Sequence, residues 1–239
     1  MSQPDPLGPQ LPLALRYPPD QRFDTWLDAS PTGIVARLRA LATGATDDLM
    51  YLQGGNGSGK THLLLASCAE AEAAGRPAHY LSMARIRGHA REAFKGLEQA
   101  GLVALDGLEA IAGLRDDEVA LFHLHNRLRD AGAGLVYAAR QTPAALLLAL
   151  PDLRSRLAQC TLIALPALDD DGRARVLRRR AAARGLAFDE AVLDWLLTRC
   201  SRDLSDLAAL FERLDRASLA AQRRITVPFL RQVLGKESA

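Results

Sequence analysis

The sequence predicts an α/β fold: a five-stranded parallel sheet with helices on both faces, followed by a small all-α domain. Three observations predict it. Short apolar runs alternate with helical patterns between residues 49 and 165, as in a parallel sheet. A glycine-rich loop with the spacing G-x-x-x-x-G-K-[ST] joins the first of these runs to the following helix. After Pro166 there is no further strand pattern, and apolar residues recur at helical spacing.

The composition is that of an ordinary soluble globular protein. The chain has 239 residues and a formal net charge of +2, with 49% hydrophobic and 24% charged residues. Such a balanced charge gives no indication of a nucleic-acid partner. No run reaches the ~18 apolar residues of a membrane span, and the first residues lack the basic segment of a signal peptide. We therefore expect a cytoplasmic protein without a membrane partner.

Metal sites other than magnesium are not indicated. Cys68, Cys160 and Cys200 lie far apart and form no C-x-x-C pair, which argues against a disulfide framework or a zinc site. His123 and His125 are two residues apart, and this spacing puts them on different faces of a helix. The cysteines are therefore interpreted as small buried residues of a reducing compartment.

The chain begins with a proline-rich arm. Residues 1–22 contain six of the twelve prolines, and this density predicts an extended segment. Within it, the apolar peptide from Gln10 to Leu15 is unusual for a solvated tail. It is either a strap on the protein's own body or a peptide that binds a partner. Phe23 and Trp26 then bring two rings three residues apart, which line a flat pocket or fix the arm to the core.

The strand and helix patterns follow in order. A first helix is expected at 31–41, with Ser30 as its N-cap. Strands are predicted at 49–53, 79–83, 101–105, 135–139 and 161–165. Helices are predicted between them at 60–74, 84–100 and 118–131. Gly75 and Gly132 stand where a C′ glycine would end two of these helices.

The residues after Pro166 predict three or four amphipathic helices. These are expected near 169–184, 189–200, 203–222 and 227–235. Their N-caps would be Asp169, Asp189, Asp203 and Thr226. Six arginines between residues 173 and 184 belong either to a solvated helix or to a nucleic-acid stripe; on a helix they spread over more than one face.

The glycine loop predicts a nucleotide site. It consists of Gly54, Gly55, Asn56, Gly57, Ser58, Gly59, Lys60 and Thr61. Glycines reach positive φ without a Cβ clash, so that successive N–H groups converge on one anion at the start of the next helix. In such a loop Lys60 reaches the β- and γ-phosphates and Thr61 the Mg²⁺. The other interpretation is a left-handed glycine turn with an exposed lysine.

The residues that would hydrolyse a nucleotide are incomplete. Asp106 ends an apolar strand, where it would hold Mg²⁺ through water. The residue that would orient the attacking water is Gly107, and Glu109 either substitutes for it or has no chemical role. Arg154 and Arg156 follow on a short helical segment; one of them points outward, as an arginine finger for another subunit or in a surface salt bridge.

Together these residues resemble an AAA+ ATPase of the DnaA group, and within it the regulators that inactivate DnaA. The resemblance runs over nearly the whole chain. It is carried by residues 10–15, 23–26, 59–64, 106–113, 150–157 and 214–223, and the last two stretches are the most specific. It implies an arm with a clamp-binding peptide over 1–22, an AAA+ nucleotide-binding domain over 23–166, and a helical lid over 167–239.

The resemblance also implies a function and its partners. The protein would regulate replication initiation by binding the sliding clamp, the beta subunit of DNA polymerase III, and stimulating hydrolysis of ATP bound to DnaA. The clamp-binding residues would be Gln10, Leu11, Leu13 and Leu15. Contact with DNA would be indirect, through the clamp, and a homo-oligomer is compatible with this arrangement. Arg156 matches the finger arginine, which is supplied to DnaA in trans.

For the chain's own nucleotide, ADP or ATP with Mg²⁺, the resemblance implies further contacts. Phe23 and Trp26 would flank the base, His62 would follow the phosphate loop, and Arg202 would reach the phosphates. The nucleotide, expected to be ADP, would be largely structural.

Four positions depart from what a hydrolytic relative or a clamp-binding peptide contains. One is Pro12, which comes two residues earlier than the proline of such peptides. Ala139 stands where the sensor strand of DnaA relatives ends in an aspartate, and Ala14 stands where clamp peptides carry a late proline. Ala139 and Gly107 together predict weak turnover. The alternatives are a self-sufficient ATPase, such as a loader or remodelling motor that uses Glu109, and a small-metabolite kinase, which the helical C-terminal region disfavours.

Overall fold

A computed structural model describes residues 17, 21–26, 33–167, 169–183, 189–199, 210, 213, 214, 216–218 and 225–235. Several predicted features lie outside these residues: the peptide 10–15, Ser30, Cys200, Arg202, Asp203 and most of the helix expected at 203–222.

Five parallel strands form one sheet. They are β1 (Leu49–Gln53), β2 (Ala78–Ser82), β3 (Leu102–Asp106), β4 (Gly134–Ala139) and β5 (Thr161–Ala164), in the order β2-β3-β4-β1-β5. Each predicted strand is confirmed to within one residue at either end. All six residues of β4 are buried, as expected for a central strand that is apolar on both faces.

The helices of the described part of the chain lie on both sides of the sheet and after it. They are α1 (Ile34–Thr43), α2 (Lys60–Ala73), α3 (Ala90–Ala93), α4 (Arg115–Asp130), α5 (Pro151–Ala158), α6 (Asp170–Ala183), α7 (Glu190–Arg199) and α8 (Val227–Gly235). Gly75 and Gly132, at φ 74° and 67°, follow α2 and α4 as expected. None of these helices is long and apolar enough to cross a membrane.

Three of the predicted N-caps are confirmed by hydrogen bonds from backbone amides. Asp169 Oδ1 accepts a bond from Gly172 N at 2.6 Å, and Asp189 Oδ1 accepts one from Val192 N at 2.8 Å. Thr226 Oγ1 accepts a longer bond from an amide three residues later, at 3.4 Å. Each satisfies an N–H group that the helix start would otherwise leave unpaired.

The helix predicted at 84–100 is wrong. This segment contains only the single turn α3 and a 3-10 turn at Leu97–Gln99. Gly88 and Gly96 have φ of 78° and 83°, which a right-handed helix does not accommodate. The carboxylate of Asp117, which is 4% exposed, accepts bonds from Gly88 N at 2.6 Å and Ala90 N at 3.1 Å. Tertiary hydrogen bonds to α4 therefore override the helical pattern.

The start of α1 also differs from the expectation. The helix begins at Ile34 instead of residue 31, and its N-cap is Gly33, which has a positive φ of 58°. Helix α4, in contrast, begins three residues earlier than predicted, because Arg115, Asp116 and Asp117 belong to its first turn. The acidic side chains of that turn stabilise the helix by interacting with the positive end of its dipole.

Side chains alternate between two cores along the strands. Met50 and Leu52 of β1 face the side covered by α1 and α2, whereas Tyr51 between them faces the side covered by α3, α4 and α5. A third core lies among α6, α7 and α8, where Leu177 and Val192 are fully buried. Burial of each such side chain contributes about 1.5–3 kcal/mol. β4 lies between β1 and β3, and all three strands are parallel. Their carboxyl ends therefore lie at the same edge of the sheet.

Candidate nucleotide site

The glycine loop lies at this carboxyl edge, between β1 and α2. Gly57 and Gly59 have φ of 73° and 88°, the left-handed region that favours glycine. Gly59 is the N-cap of α2 and has no side chain to cap it, and the first turn of α2 contains no acidic residue. The positive end of this helix is therefore open to an anionic ligand.

The loop is too tightly closed for side chains at two of its glycines. A Cβ at Gly54 would lie 2.5 Å from Ser58 Oγ and 2.9 Å from Leu165 O. A Cβ at Gly59 would lie 2.4 Å from the indole ring of Trp26. The packing thus requires glycine where the sequence pattern has it, as expected for a backbone cradle that closes around a phosphate chain.

Lys60 is the first residue of α2, and its ammonium group is bound by the loop. Lys60 Nζ donates to Gly54 O and to Gly55 O, both at 2.7 Å. These carbonyl oxygens hold the positive charge against the loop backbone.

Thr61 and Asp106 are adjacent, although they are 45 residues apart in the sequence. Thr61 Oγ1 donates to Asp106 Oδ2 at 2.6 Å, and the hydroxyl of Tyr80 donates to the same oxygen at 2.9 Å. Burial, reinforced by the charge of Asp106, raises the pKa of Tyr80, so the phenol stays protonated as a donor. A hydroxyl and a carboxylate are oxygen ligands of the kind that Mg²⁺ prefers, so these residues fit that ion.

Tyr80 was missed by the sequence analysis. The strand register pairs Tyr80 with Ala104 and Ser82 with Asp106, so that Tyr80 and Asp106 lie on the same face of neighbouring strands. The available signal was a tyrosine within a predicted strand, but only the register of β2 against β3 shows what it contacts.

Glu109 is paired with Arg140 and follows the left-handed residue Gly107. Its carboxylate accepts a bond from Arg140 Nε at 2.7 Å and another from Arg140 N at 3.3 Å. The glutamate side chain is 21% exposed. Glu109, the candidate for the acid that orients the attacking water, therefore already forms an ion pair with Arg140.

The two aromatic rings of residues 23–26 occupy different places. Phe23 is 4% exposed and packs in the core beneath the guanidinium of Arg39, 5.5 Å from its ring. Trp26 covers Gly59 and lies 5.5 Å from the ring of His62. His62 Nε2 is 2.9 Å from Arg22 O, which holds this segment over the first turn of α2. Of the two rings, only that of Trp26 lies against the glycine loop.

The indole N–H of Trp26 is a candidate donor to a polar ligand. Among the described residues, Trp26 Nε1 is buried and has no hydrogen-bond acceptor. A buried indole N–H normally has a partner. An acceptor atom of a bound nucleotide would supply one.

The two arginines of α5 flank its buried leucines, one on either side of the apolar face. Leu153 and Leu157 are fully buried, whereas Arg154 is exposed and Arg156 is half-buried. Neither arginine has a carboxylate partner within the described part of the chain. Both guanidinium groups are therefore available to an external anion.

A buried histidine lies behind α5. His125 Nδ1 is 2.8 Å from the hydroxyl of Tyr137, and burial, with smaller effects of Arg129 and Arg156, lowers the pKa of His125 to about 4. The imidazole is therefore neutral at pH 7. Among the described residues there is no group of three or more histidine, cysteine, aspartate or glutamate side chains that could hold a metal ion.

Known structures share this fold. Domain III of the Thermotoga maritima replication initiation protein DnaA has a TM-score of 0.70 and 18% identity, over 92% of this chain and 98% of that one. AMPPCP-bound DnaA from Aquifex aeolicus has a TM-score of 0.64 and 20% identity, over 83% of this chain and 66% of that one. The Thermotoga maritima RuvB branch migration motor has a TM-score of 0.55 and 17% identity, over 85% and 68%.

The chain thus spans about two thirds of the length of the Aquifex DnaA that it matches. The structural likeness confirms the α/β fold class with a DnaA-like AAA+ arrangement.

A family model matches the helical region after the sheet. Residues 170–234 match the model of the Hda lid domain. This match falls on the region that the sequence analysis assigned to a lid, and it confirms the resemblance to DnaA-related proteins. Over residues 170–234 the chain is therefore similar to the Hda lid domain, and its fold is similar to that of DnaA domain III.

Proposed function

We propose that this protein regulates replication initiation: attached to the sliding clamp, it stimulates hydrolysis of ATP bound to DnaA, and its own nucleotide is mainly structural. The observation that carries the proposal is the match of residues 170–234 to the Hda lid domain, on a chain with a DnaA-like fold.

The glycine loop supports the nucleotide part of the proposal. A bound phosphate chain would replace Gly54 O and Gly55 O as the partners of Lys60 Nζ. Thr61 would bind Mg²⁺ directly and Asp106 through water, with Tyr80 orienting the carboxylate. Trp26 would lie beside the base. The related Aquifex DnaA binds an adenine nucleotide analogue, AMPPCP, which supports ADP or ATP as the ligand.

The surroundings of Asp106 favour holding a nucleotide over hydrolysing it. Hydrolysis requires a group that orients the attacking water. Gly107 offers no side chain, and Glu109 is bonded to both the side chain and the backbone of Arg140. We therefore propose that intrinsic turnover is slow and that the catalytic contribution is Arg156, directed at the ATP of DnaA.

The arm is proposed to attach the protein to the clamp. An extended peptide flanked by prolines loses less conformational entropy on binding than a flexible one. The apolar side chains Leu11, Leu13 and Leu15 would enter the peptide pocket of the clamp, and Gln10 would supply hydrogen bonds. The clamp in turn encircles DNA, so that the protein would contact DNA indirectly, through the clamp.

Deletion of residues 1–16 tests this function. We expect the truncated protein to lose clamp binding in a pull-down and to lose the clamp-dependent conversion of DnaA-bound ATP to ADP, because the tether is gone. Its affinity for nucleotide should not change, since the glycine loop is intact. The full-length protein assayed without clamp is the matched control. Retention of clamp binding by the truncated protein would show that the arm is only a strap.

A further inference from the structure

The segment between β4 and α5 contains an apolar loop, residues 143–150. All eight of its residues are proline, alanine or leucine. Loops run over the surface and are usually polar. Here Ala144, Ala145, Leu147 and Ala149 are exposed, and Leu147 is 86% exposed. An apolar side chain that remains almost fully in water contributes nothing to the core of the protein itself.

The position of Leu147 is fixed by its neighbours. Leu146 and Leu148 are 1% and 8% exposed and belong to the core beneath α4 and α5. The backbone turns at Thr142, whose carbonyl accepts bonds from Ala145 N at 3.0 Å and Leu146 N at 3.1 Å. Leu147 therefore cannot turn inward unless the flanking leucines leave the core.

A buried carboxylate fixes the end of the loop. Glu118 of α4 is fully buried, and it accepts bonds from Gly113 N at 2.7 Å, Ala149 N at 3.0 Å and Leu150 N at 2.7 Å. A buried charge is costly unless hydrogen bonds satisfy it, and these three bonds do so. They also fix the start of α5, because Leu150 is its N-cap.

The apolar loop is therefore a rigid surface directly joined to the helix that bears Arg156. Rigid surfaces lose little conformational entropy on binding. Interfaces commonly combine a central apolar anchor with arginines that meet charged groups of the partner. The exposed leucine lies in the loop that leads into this helix, and the helix bears two arginines without carboxylate partners in the described part of the chain. Such a surface complements a protein that presents an apolar recess and a polyphosphate.

We infer that the apolar loop is the docking surface for the ATP-bound AAA+ partner, with Leu147 as its anchor. The inference rests on the proposed function, in which that partner is DnaA. Docking at Leu147 places the start of α5 against the partner and brings Arg156 towards its nucleotide. Leu147 contributes to association, whereas Arg156 contributes to the chemical step.

The experiment compares Leu147→Ser with Leu162→Ser. Leu162 lies on β5, outside the apolar loop, and is 49% exposed. Each variant therefore removes one exposed leucine. Each protein is titrated into DnaA that carries labelled ATP, with clamp loaded on DNA. We expect Leu147→Ser to raise the half-saturating concentration at least about tenfold, as loss of an anchor does, with an unchanged rate at saturation. Leu162→Ser should match the unaltered protein.

Three outcomes overturn or redirect the inference. An unchanged half-saturating concentration for Leu147→Ser contradicts it. A lower rate at saturation without a change in half-saturation also contradicts it, because the loop would then act on the chemistry. Sedimentation velocity that shows a homodimer of this chain disrupted by Leu147→Ser, with normal half-saturation, assigns the loop to self-association instead.

Failure of the proposed function is recognised separately. Direct association of the protein with nucleotide-bound DnaA, measured by anisotropy of labelled DnaA, does not depend on hydrolysis. If Leu147→Ser weakens this association while Arg156→Ala leaves hydrolysis unchanged, the docking surface stands and the role of Arg156 fails. If Arg156→Ala abolishes stimulation and Leu147→Ser leaves association unchanged, the docking surface alone fails.

Discussion

Replacement of Arg156 by alanine is expected to lower the clamp-dependent rate of ATP hydrolysis on DnaA by a factor of about 10³–10⁵. A guanidinium that meets the transferred phosphoryl group stabilises its transition state by roughly 4–7 kcal/mol. The fold should tolerate the change, because the buried leucines Leu153 and Leu157, not the arginine, hold α5 against the core. Nucleotide binding and clamp binding should remain intact.

The matched control for this variant is Arg154→Ala, on the same helix. Arg154 is also without a carboxylate partner in the described part of the chain, but it is more exposed than Arg156. It should retain most of the stimulation. Arg156→Lys should restore little, since an ammonium group lacks the planar fork of guanidinium. Full stimulation by Arg156→Ala would rule out the arginine finger.

Replacement of Lys60 by alanine is expected to weaken nucleotide binding by a factor of roughly 10²–10⁴. Two hydrogen bonds from an ammonium to phosphate oxygens contribute about 1.5–3 kcal/mol each. In the structure Lys60 Nζ already makes two bonds of 2.7 Å within the loop, so it is placed to exchange them for phosphate contacts. Calorimetric titration with ADP and Mg²⁺ measures the change.

Lys95→Ala is the control for charge alone. Lys95 Nζ is paired with Glu92 at 2.6 Å, and its side chain is 69% exposed, on the segment around α3. Removing it changes the net charge as much as Lys60→Ala does but leaves the loop untouched. An affinity for ADP that is the same in Lys60→Ala and Lys95→Ala would contradict the phosphate cradle.

The strands of this fold could be predicted from the sequence because their signal is local. Runs such as 49–53 and 134–139 are apolar on both faces, and only a central parallel strand buries both faces. Helix ends were equally clear where a single residue type determines them, as with Gly75, Gly132 and the N-cap Asp189.

The segment 84–100 could not be predicted, because its conformation depends on a distant side chain. Asp117, far along the chain in α4, binds the backbone of Gly88 and Ala90 and stops the expected helix. Glu118 acts similarly on the apolar loop. Both residues read in the sequence as ordinary acids at a helix start, since nothing local indicates their buried partners.

The candidate site was predictable where a motif defines it and not where neighbours complete it. The glycine loop, Lys60 and Thr61 follow from spacing, and Asp106 follows from the end of an apolar strand. The bond between Tyr80 and Asp106 and the pairing of Glu109 with Arg140 depend on strand register and loop geometry. The different positions of Phe23 and Trp26 depend on tertiary packing in the same way.

The nucleotide that purifies with the protein tests the central claim most directly, namely that the protein holds its own nucleotide and does not consume it. The purified protein is denatured, and the released nucleotide is identified by chromatography. A second sample is loaded with ATP and followed without DnaA or clamp. We predict close to one ADP per chain and very slow loss of loaded ATP. Rapid turnover by the protein alone would contradict the account and indicate a self-sufficient ATPase.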